Sequence, residues 1–183
     1  MILILCIVLG LALRFALGKS MHGLESMRLS GESVLLLLLI VQAVLPVVRL
    51  NGVVATVAFG LWLATFPVLA SVAWLNRGEP GMLVLCAGLV MNFVVIALNG
   101  GMPVDAGAVR ALTSVSVSNS ILPGDFVHVI ASTTTRMPWL ADVLPVPGPA
   151  WIKAVASPGD CLLFAGVVSF LSSAPSAKSI LRG

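Results

Sequence analysis

The stretch VVATVAFGLWLATFPVLASVAWL, residues 53–75, decides the class of fold. It carries no charged residue, and it is long enough to cross a bilayer core, which takes roughly 20 apolar residues. In the whole chain of 183 residues, 59% are apolar and 9% are charged, and the mean hydropathy is +1.12. Because a soluble domain averages about 25% charged residues, this composition indicates a small polytopic membrane protein. It excludes a cytosolic globular enzyme, a disordered tail and a disulfide-stapled secreted domain.

Four further apolar runs accompany this one, and we predict an all-α polytopic membrane protein with about five transmembrane helices. The predicted helices cover residues 1–17, 33–49, 53–75, 82–98 and 159–174. The first and last are short, since about 16 residues at 1.5 Å per residue cover only ~24 Å. We divide the single structural domain into a four-helix transmembrane part (1–98), a cap (99–158), and the last transmembrane helix with a short basic tail (159–183).

The cap differs in composition from the runs around it. It contains seven prolines, and its apolar residues come in short runs. A loop of that length in a compact protein is usually functional or disordered. Phe126, Trp139 and Trp151 need a surface to pack on. We therefore expect a folded cap or a re-entrant hairpin over one end of the helix bundle.

The basic residues are dispersed along the chain, which argues against a nucleic-acid partner and is typical of topology signals. With five crossings, one side of the membrane holds six of them: Arg14, Lys19, Arg28, Arg77, Lys178 and Arg182. The other side holds four: Arg49, Arg110, Arg136 and Lys153. The positive-inside rule then predicts a multi-pass protein of the cell membrane, with the N-terminus and the cap outside and the C-terminus in the cytoplasm.

Polar side chains inside the apolar runs are the first candidate site residues. Asn92 and Asn99 are seven residues apart and therefore share one face of the fourth helix. Amides in hydrocarbon usually face the bundle interior or a cavity, and Gln42 in the second helix is the expected partner of Asn92. Two roles stay open: a plain hydrogen bond between helices, or a contact with a substrate.

Four aspartates form the second group of candidates. Ser157 to Asp160 reads SPGD, a capping box that opens the last helix, so Asp160 is either a cap or also a base or orienting group. Asp142 lies in TRMPWLADVLP among apolar residues, where burial would raise its pKa. The alternative for Asp142 is a salt bridge to Arg136. Asp105 and Asp125 are predicted to be turn or N-cap residues.

Aromatic residues offer a way to stabilise a cation in an apolar cavity. Trp62, Phe93 and Trp139 are the candidates, although an interfacial belt would equally account for Trp139. The cysteines and histidines predict no metal site and no cofactor, because no C-x-x-C occurs and the two histidines are far apart in sequence.

Three segments in order, NGGMP (99–103), TRMPWLADVLP (135–145) and SPGD (157–160), resemble an uncharacterised family of small bacterial integral membrane proteins. The resemblance implies five membrane passes and a cap whose Asn, Asp and Arg positions matter, and it implies no activity. In length and number of passes the chain is also similar to small bacterial membrane terpene cyclases. That likeness implies cyclisation of a prenyl chain, with a carboxylic acid protonating an alkene or an epoxide.

Two functional hypotheses follow. The first is a membrane enzyme that cyclises a lipid-soluble, isoprenoid substrate between the bundle and the cap. Asp142 would be its general acid, and Asp160 or Asn99 would orient the acid or accept the final proton. The predicted substrate-binding residues are Asn92, Gln42, Trp62, Phe93, Trp139 and Arg136. The second hypothesis is a non-catalytic membrane module that docks or stabilises a partner membrane protein, because every polar residue has a plausible structural role.

Overall fold

The apolar runs form helices at the predicted places. The structure, a computed structural model, describes residues 2–19, 21, 29–112, 125–149 and 154–173. Its helices are α1 (Ile2–Ala16), α2 (Glu32–Val44), α3 (Gly52–Leu75), α4 (Met82–Asn99), α5 (Ala106–Leu112) and α6 (Pro158–Ser173). Its strands are β1 (Met102–Val104), β2 (His128–Ile130), β3 (Leu144–Val146) and β4 (Ala154–Ala156). Single 3-10 turns cover Leu45–Val47 and Pro138–Leu140.

The prediction of five transmembrane helices is not supported by the helix lengths. Only α3 and α4, among the described helices, are both long and apolar enough to cross a membrane. The apolar helices α1, α2 and α6 are shorter. Buried residues make up 33% of the most apolar window of α3 and 28% of that of α4. Most of the surface of these two helices therefore faces away from the protein.

The ends of α1 and α6 lie together at one end of the bundle. The guanidinium of Arg14 donates to the carbonyl oxygen of Leu171 at 3.3 Å, and the Lys19 ammonium donates to the carbonyl oxygen of Ser172 at 3.0 Å. Both carbonyls belong to the last turn of α6, where cations are favourable because the helix dipole is negative there. The two helices therefore run in the same direction.

The remaining helices alternate in direction with these two. Ser30, before α2, donates its N–H to the side chain of Asn76, just after α3, at 2.8 Å. Gly88 of α4 lies against the first turn of α6 at Gly159, and Gly81 lies against Gly166 further along α6. Each long helix therefore runs antiparallel to the long helix before it in the chain. We call the end with Arg14, Lys19 and Arg77 the basic end, and the opposite end the cap end.

The helix α4 stops at the cap end for a local reason. Gly100 adopts φ 68° and ψ 22°, a left-handed conformation that favours glycine, and its N–H donates to the carbonyl oxygen of Ile96. Pro103 follows and has no N–H to continue the helix. The chain turns directly into β1, which carries it into the cap.

The described cap residues are built around β1. Strand β2 pairs with β1 in parallel, with Met102 opposite His128 and Val104 opposite Ile130. On its other side, Val104 forms a parallel bridge with Asp142. Strands β3 and β4 pair antiparallel and lead into α6. The strands and α5 were not predicted, because three-residue strands and a seven-residue helix are too short to show a periodic pattern.

One hydrophobic cluster joins the bundle to the cap. Its buried residues come from α3, α4, β1 and the residue before β2: Trp62, Phe66, Val95, Ile96, Met102 and Val127. Leu140, in the 3-10 turn before Asp142, packs against the same cluster. We call this region the bundle–cap junction.

Candidate functional site

The predicted capping box at the start of α6 is confirmed. The backbone N–H of Asp160 donates to the Ser157 hydroxyl at 3.0 Å, and the N–H of Ser157 donates to Asp160 Oδ2 at 3.1 Å. Asn92 joins this pair from α4, because its Nδ2 donates to Asp160 Oδ1 at 2.8 Å and its Oδ1 accepts from the Ser157 hydroxyl at 3.1 Å. Each oxygen of the Asp160 carboxylate therefore has a hydrogen-bond donor.

This network is possible because α4 and α6 approach each other through glycines. A Cβ on Gly159 would overlap the side-chain oxygen of Asn92, and a Cβ on Gly88 would lie 2.7 Å from the carbonyl oxygen of Gly159. Real Cβ atoms do not come that close to backbone oxygen. The two glycines thus leave room for Asn92 to reach across to Asp160 and Ser157. We call this contact the α4–α6 seam.

The predicted hydrogen bond between Gln42 and Asn92 is wrong. Gln42 Nε2 donates instead to the hydroxyl of Thr65 at 2.5 Å, and that hydroxyl donates to the carbonyl oxygen of Trp62 at 2.6 Å. The reason is the packing order, since α2 packs against α3 whereas Asn92 faces α6. Gln42 therefore fastens α2 to α3.

Asn99 and Arg136 lie together at the end of α4. Asn99 Nδ2 donates to the carbonyl oxygens of Val95 at 2.8 Å and Arg136 at 3.0 Å, and its Oδ1 accepts from the Arg136 N–H at 2.8 Å. The side-chain amide thus holds the backbone of the cap on the helix terminus. The rest of Arg136 is exposed. These contacts account for an asparagine where helix termination alone would not require one.

Asp142 is buried and has no bond to Arg136. Its side chain is 6% exposed, and its Oδ1 has no hydrogen-bond partner among the described residues. The backbone fixes its position, because its N–H donates to Pro103 O at 2.9 Å and its carbonyl accepts from Asp105 N at 2.9 Å. Burial and the charge of Asp160 raise the pKa of Asp142 to about 7, against the opposing charge of His128.

Sequence reasoning missed His128 and its partner Asp125. Asp125 Oδ2 lies 3.0 Å from His128 Nδ1, and Asp125 Oδ1 accepts the N–H groups of Val127 at 2.9 Å and His128 at 3.1 Å. Arg49 Nη1 is 3.7 Å from the same carboxylate. The turn role predicted for Asp125 is confirmed by its two backbone bonds. The spacing of three residues between the Asp and the His was the one available signal of their pairing.

The charges around His128 shift both pKa values. Burial acts to raise the pKa of Asp125, but the hydrogen bond and charge of His128 and the two backbone N–H donors outweigh it and lower the pKa to about 2. Burial acts to lower the pKa of His128, but Asp125, helped by the charges of Asp142 and Asp160, raises it above its ordinary value. His128 is thus held toward its protonated form.

The register of the strands places the side chains of His128 and Asp142 on the same face of the sheet, at opposite edges of β1. His128 lies opposite Met102, and Asp142 lies opposite Val104. Alternate residues of a strand project to the same face, so the two side chains leave the sheet on the same side. With a pKa of about 7, Asp142 is protonated in about half of the molecules at neutral pH, and in that form it can donate a proton or a hydrogen bond.

The predicted aromatic residues separate into two groups. Trp62 packs edge-on against Phe66 with ring centroids 5.0 Å apart, and Phe93 packs against the same cluster at the junction. Trp62 Nε1 is buried and has no hydrogen-bond partner among the described residues. Trp139 is 66% exposed and lies outside this cluster.

Some residues singled out from the sequence fall outside the described part of the chain: Arg28, Trp151, Lys153, Lys178 and Arg182. Asp105 is confirmed as an N-cap, since its Oδ2 accepts the N–H of Ala108 at 2.7 Å. In the ranges that the structure describes, no group of three His, Cys, Asp or Glu side chains is placed to hold a metal ion.

Comparison with known proteins gives a family and no activity. Residues 26–172 match the model of a family described as "Family of unknown function (DUF5317)". An "Uncharacterized protein" of Thermotoga maritima is 35% identical over 101 residues, which are 55% of this chain and 55% of that protein. The match thus spans about half the length of that curated relative. No solved structure matches the chain. Because the family model covers most of the sequence, the chain belongs to the DUF5317 family.

Proposed function

We propose that the chain is a small integral membrane enzyme that cyclises a lipid-soluble, isoprenoid substrate at the bundle–cap junction, with Asp142 as the general acid. The observation that carries this proposal is the Asp142 carboxyl. It is 6% exposed, and its Oδ1 has no hydrogen-bond partner among the described residues. Asp160, by contrast, has a hydrogen-bond donor at each carboxylate oxygen on the α4–α6 seam.

The proposed reaction starts with proton transfer from Asp142 to the substrate. The O–H bond of the acid breaks, and a C–H bond forms at an alkene or an O–H bond forms at an epoxide oxygen, leaving a carbocation. A second double bond of the prenyl chain attacks that cation and closes the ring. Loss of a proton from the ring carbon restores a double bond. We assign the acceptor role to the Asp160 carboxylate, because a carboxylate is a base and the neutral amide of Asn99 is not. Proton exchange with water then restores the Asp142 acid and the Asp160 carboxylate.

Aromatic rings at the junction support a cationic intermediate. Trp62, Phe66 and Phe93 all belong to the cluster between α3, α4 and the cap. The faces of such rings attract a cation by about 0.5–2 kcal/mol each. They also contain no strong nucleophile that would trap the carbocation before the ring closes.

We further propose five membrane passes, with the N-terminus and the cap outside. The alternating directions of α1, α2, α3, α4 and α6 support this, because each long helix carries the chain from one end of the bundle to the other. The basic end, with Arg14, Lys19 and Arg77, would then face the cytoplasm, as the positive-inside rule requires. Helices shorter than the hydrocarbon core are accommodated by local thinning of the bilayer.

Mass spectrometry of the lipids bound to the purified protein tests the proposed function. Asp142→Asn should accumulate an uncyclised prenyl compound, whereas the wild type should yield its cyclised isomer. Asp105→Asn is the matched control, since Asn caps α5 about as well as Asp does, and it should behave as wild type. Identical bulk phospholipid in all three samples, without any distinct isoprenoid, would refute the enzyme.

A docking module is the second candidate, and the exposed apolar residues of the cap favour it. Trp139 is 66% exposed, Ile130 47%, Leu144 41% and Met137 38%. A partner membrane protein would cover such side chains. Crosslinking in membranes distinguishes the two functions: for a docking module, Trp139→Ala loses a crosslinked partner and Asp142→Asn keeps it. The enzyme requires no partner band in either variant.

A further inference from the structure

A groove opens between α3 and α4 at the basic end of the bundle. Its volume is about 350 Å³, which lies within the range of ligand pockets, roughly 300–1,000 Å³. The residues that line it are Ala70, Ser71, Trp74, Leu75 and Cys86. Trp74 is 54% exposed and Leu75 is 64% exposed, so the groove opens on the outer surface of the bundle. It is separate from the bundle–cap junction and from the α4–α6 seam.

The groove is mainly nonpolar because its polar groups are bonded to the helices themselves. The thiol of Cys86 on α4 donates to the carbonyl oxygen of Ala70 on α3 at 3.5 Å. The hydroxyl of Ser71 donates to the carbonyl oxygen of Pro67 at 2.8 Å. Neither the thiol nor the hydroxyl therefore has a proton left to donate to an occupant. This part of the groove suits a hydrocarbon chain.

The groove runs inward from the end of α3. Leu75 is the last residue of α3, and Ala70 comes five residues earlier, a distance of about 7.5 Å along the helix axis. Both α3 and α4 are long and apolar enough to cross a membrane. In a bilayer, Trp74 would lie at the interface, where tryptophan is enriched in membrane proteins, and Ala70 would lie deeper. The groove therefore spans the depth at which a phospholipid headgroup joins its acyl chains.

Arg77 supplies a positive charge at the outer end of the groove. Its guanidinium carbon lies 5.3 Å from the centre of the Trp74 ring, and its Nη1 donates to the Trp74 carbonyl oxygen at 3.2 Å. Arg77 is exposed, and in the described ranges it has no ion-pair partner, not even Glu79 two residues further on. A guanidinium has five N–H donors in a geometry that matches a phosphate group. Arg77 can therefore bind an anion while it stays stacked on Trp74.

We infer that this groove binds an anionic phospholipid, with an acyl chain between α3 and α4 and the lipid phosphate on Arg77. The combination of a nonpolar groove and a cation at its outer end favours such a lipid over a helix of another protein, which would cover the groove without neutralising Arg77. The inference requires α3 and α4 to lie in a bilayer. It is independent of the proposed cyclisation, because the residues of that reaction lie at the cap end.

Native mass spectrometry of the purified full chain tests the role of the charge. The protein is mixed with equal amounts of phosphatidylglycerol and phosphatidylcholine that carry identical acyl chains. Wild type should retain phosphatidylglycerol about fivefold more than phosphatidylcholine, since one basic residue near the membrane surface contributes that much. Arg77→Gln should remove this preference. Arg110→Gln is the control, because Arg110 is an exposed cation on α5 in the cap, and it should keep the preference.

A second pair of variants tests the groove itself. Ser71→Leu places a larger side chain in the groove and should lower the retention of both lipids. Thr56→Leu is the matched control, because Thr56 is also an exposed residue of α3 whose hydroxyl donates to a carbonyl oxygen four residues earlier, that of Gly52 at 3.4 Å, and it lies outside the groove. Thr56→Leu should retain lipid as wild type does.

Photocrosslinking of the wild-type protein serves if the variants fail to fold. Phosphatidylglycerol with a diazirine on its acyl chain, in vesicles made otherwise of phosphatidylcholine, should label residues 70–75 and Cys86. Labelling spread evenly over α3 and α4, or equal retention of the two lipids by wild type, would overturn the inference. A disulfide that joins the Cys86 residues of two chains on oxidation in these vesicles would assign the groove to a second copy of the chain and would also overturn it.

Discussion

The α4–α6 seam holds the half-buried Asp160 and the cap holds the buried Asp142, and the two carboxyl groups are held in opposite ways. On the seam, both oxygens of Asp160 accept hydrogen bonds, from Asn92 and from the backbone of Ser157. In the cap, Asp142 is anchored by its backbone only, and its Oδ1 has no partner among the described residues. The carboxylate of Asp160 holds α4 and α6 together, whereas Asp142 Oδ1 makes no such link in the described part of the chain.

The difference comes from how closely the neighbouring chains approach. Gly88 and Gly159 let α4 and α6 come near enough for one amide to span the gap. The cap segment instead meets β1 and the residue after it through backbone bonds to Pro103 and Asp105, and among the described residues Asp142 Oδ1 has no donor. The amide of Asn92 thus holds the seam together, whereas in the cap burial and the charge of Asp160 raise the pKa of Asp142.

The largest expected effect is on the pH dependence of stability through Asp142. Its pKa rises from 3.8 to about 7 on folding, so the native state keeps a proton that the unfolded chain has already lost. Stability should therefore fall as the pH rises from about 4 to 7, by up to about 4 kcal/mol. Asp142→Asn removes this loss and should be more stable than wild type at pH 8.

Thermal unfolding in detergent at a series of pH values measures this. The two proteins should converge below pH 4, where Asp142 is protonated in both the folded and the unfolded wild type. Parallel stability curves across the whole range would mean that Asp142 has a partner in solution, and the contrast between the seam and the cap would disappear.

The second effect tests the close approach of α4 and α6 at the seam. Gly159→Ala puts a Cβ where the Asn92 side-chain oxygen lies, and we expect a loss of about 3 kcal/mol of unfolding free energy. Gly60→Ala is the control, since no atom lies within 4 Å of a Cβ there, and Ala is more favourable than Gly in a helix by about 1 kcal/mol. Denaturant titration should show the two alanines shifting stability in opposite directions.

The third effect tests whether the hydrogen bonds of Asn92 stabilise the α4–α6 seam. Asn92→Ala leaves Asp160 and Ser157 without their interhelical partner and should cost about 2–3 kcal/mol. Gln42→Ala, which also removes an interhelical amide, should cost about 1 kcal/mol or less, because Thr65 keeps its bond to the Trp62 carbonyl. Equal losses in these two variants, measured by thermal unfolding, would contradict a special role for the seam.

The smallest effect concerns the ion pair on the outer side of the cap. The pKa of Asp125 is lowered to about 2 from 3.8, so its stabilisation is present above pH 4 and is lost as the pH falls through 2. Asp125→Asn should lose up to about 2 kcal/mol at pH 7 and progressively less below pH 4. Thermal unfolding at a series of pH values, with Asp105→Asn as the control, measures this loss of stability. A stability difference between Asp125→Asn and wild type that persists at pH 2 would rule out an ionic origin.

Local patterns were enough to predict part of this molecule. The apolar runs predicted the five long helices within a few residues of their observed bounds, because burial of apolar side chains acts over every turn. Local hydrogen bonds could also be predicted from the sequence. The capping box of Ser157 and Asp160 and the turn at Asp125 consist of hydrogen bonds between residues at most three positions apart. The composition predicted a membrane protein, and α3 and α4 are long and apolar enough to cross a membrane, whereas the helix lengths do not support five crossings.

The sequence by itself determined where the helices lie, how they begin and end, and which residues are candidates for chemistry. Only the tertiary structure decided which side chains are hydrogen-bonded to each other. It paired Asn92 with Asp160, 68 positions away in the chain, and Gln42 with Thr65. It also placed the side chains of His128 and Asp142 on one face of the sheet around β1. The physical reason is the distance along the chain over which each interaction acts. Capping and helix formation involve residues a few positions apart, whereas the burial and the pKa of a side chain depend on which distant segments pack together.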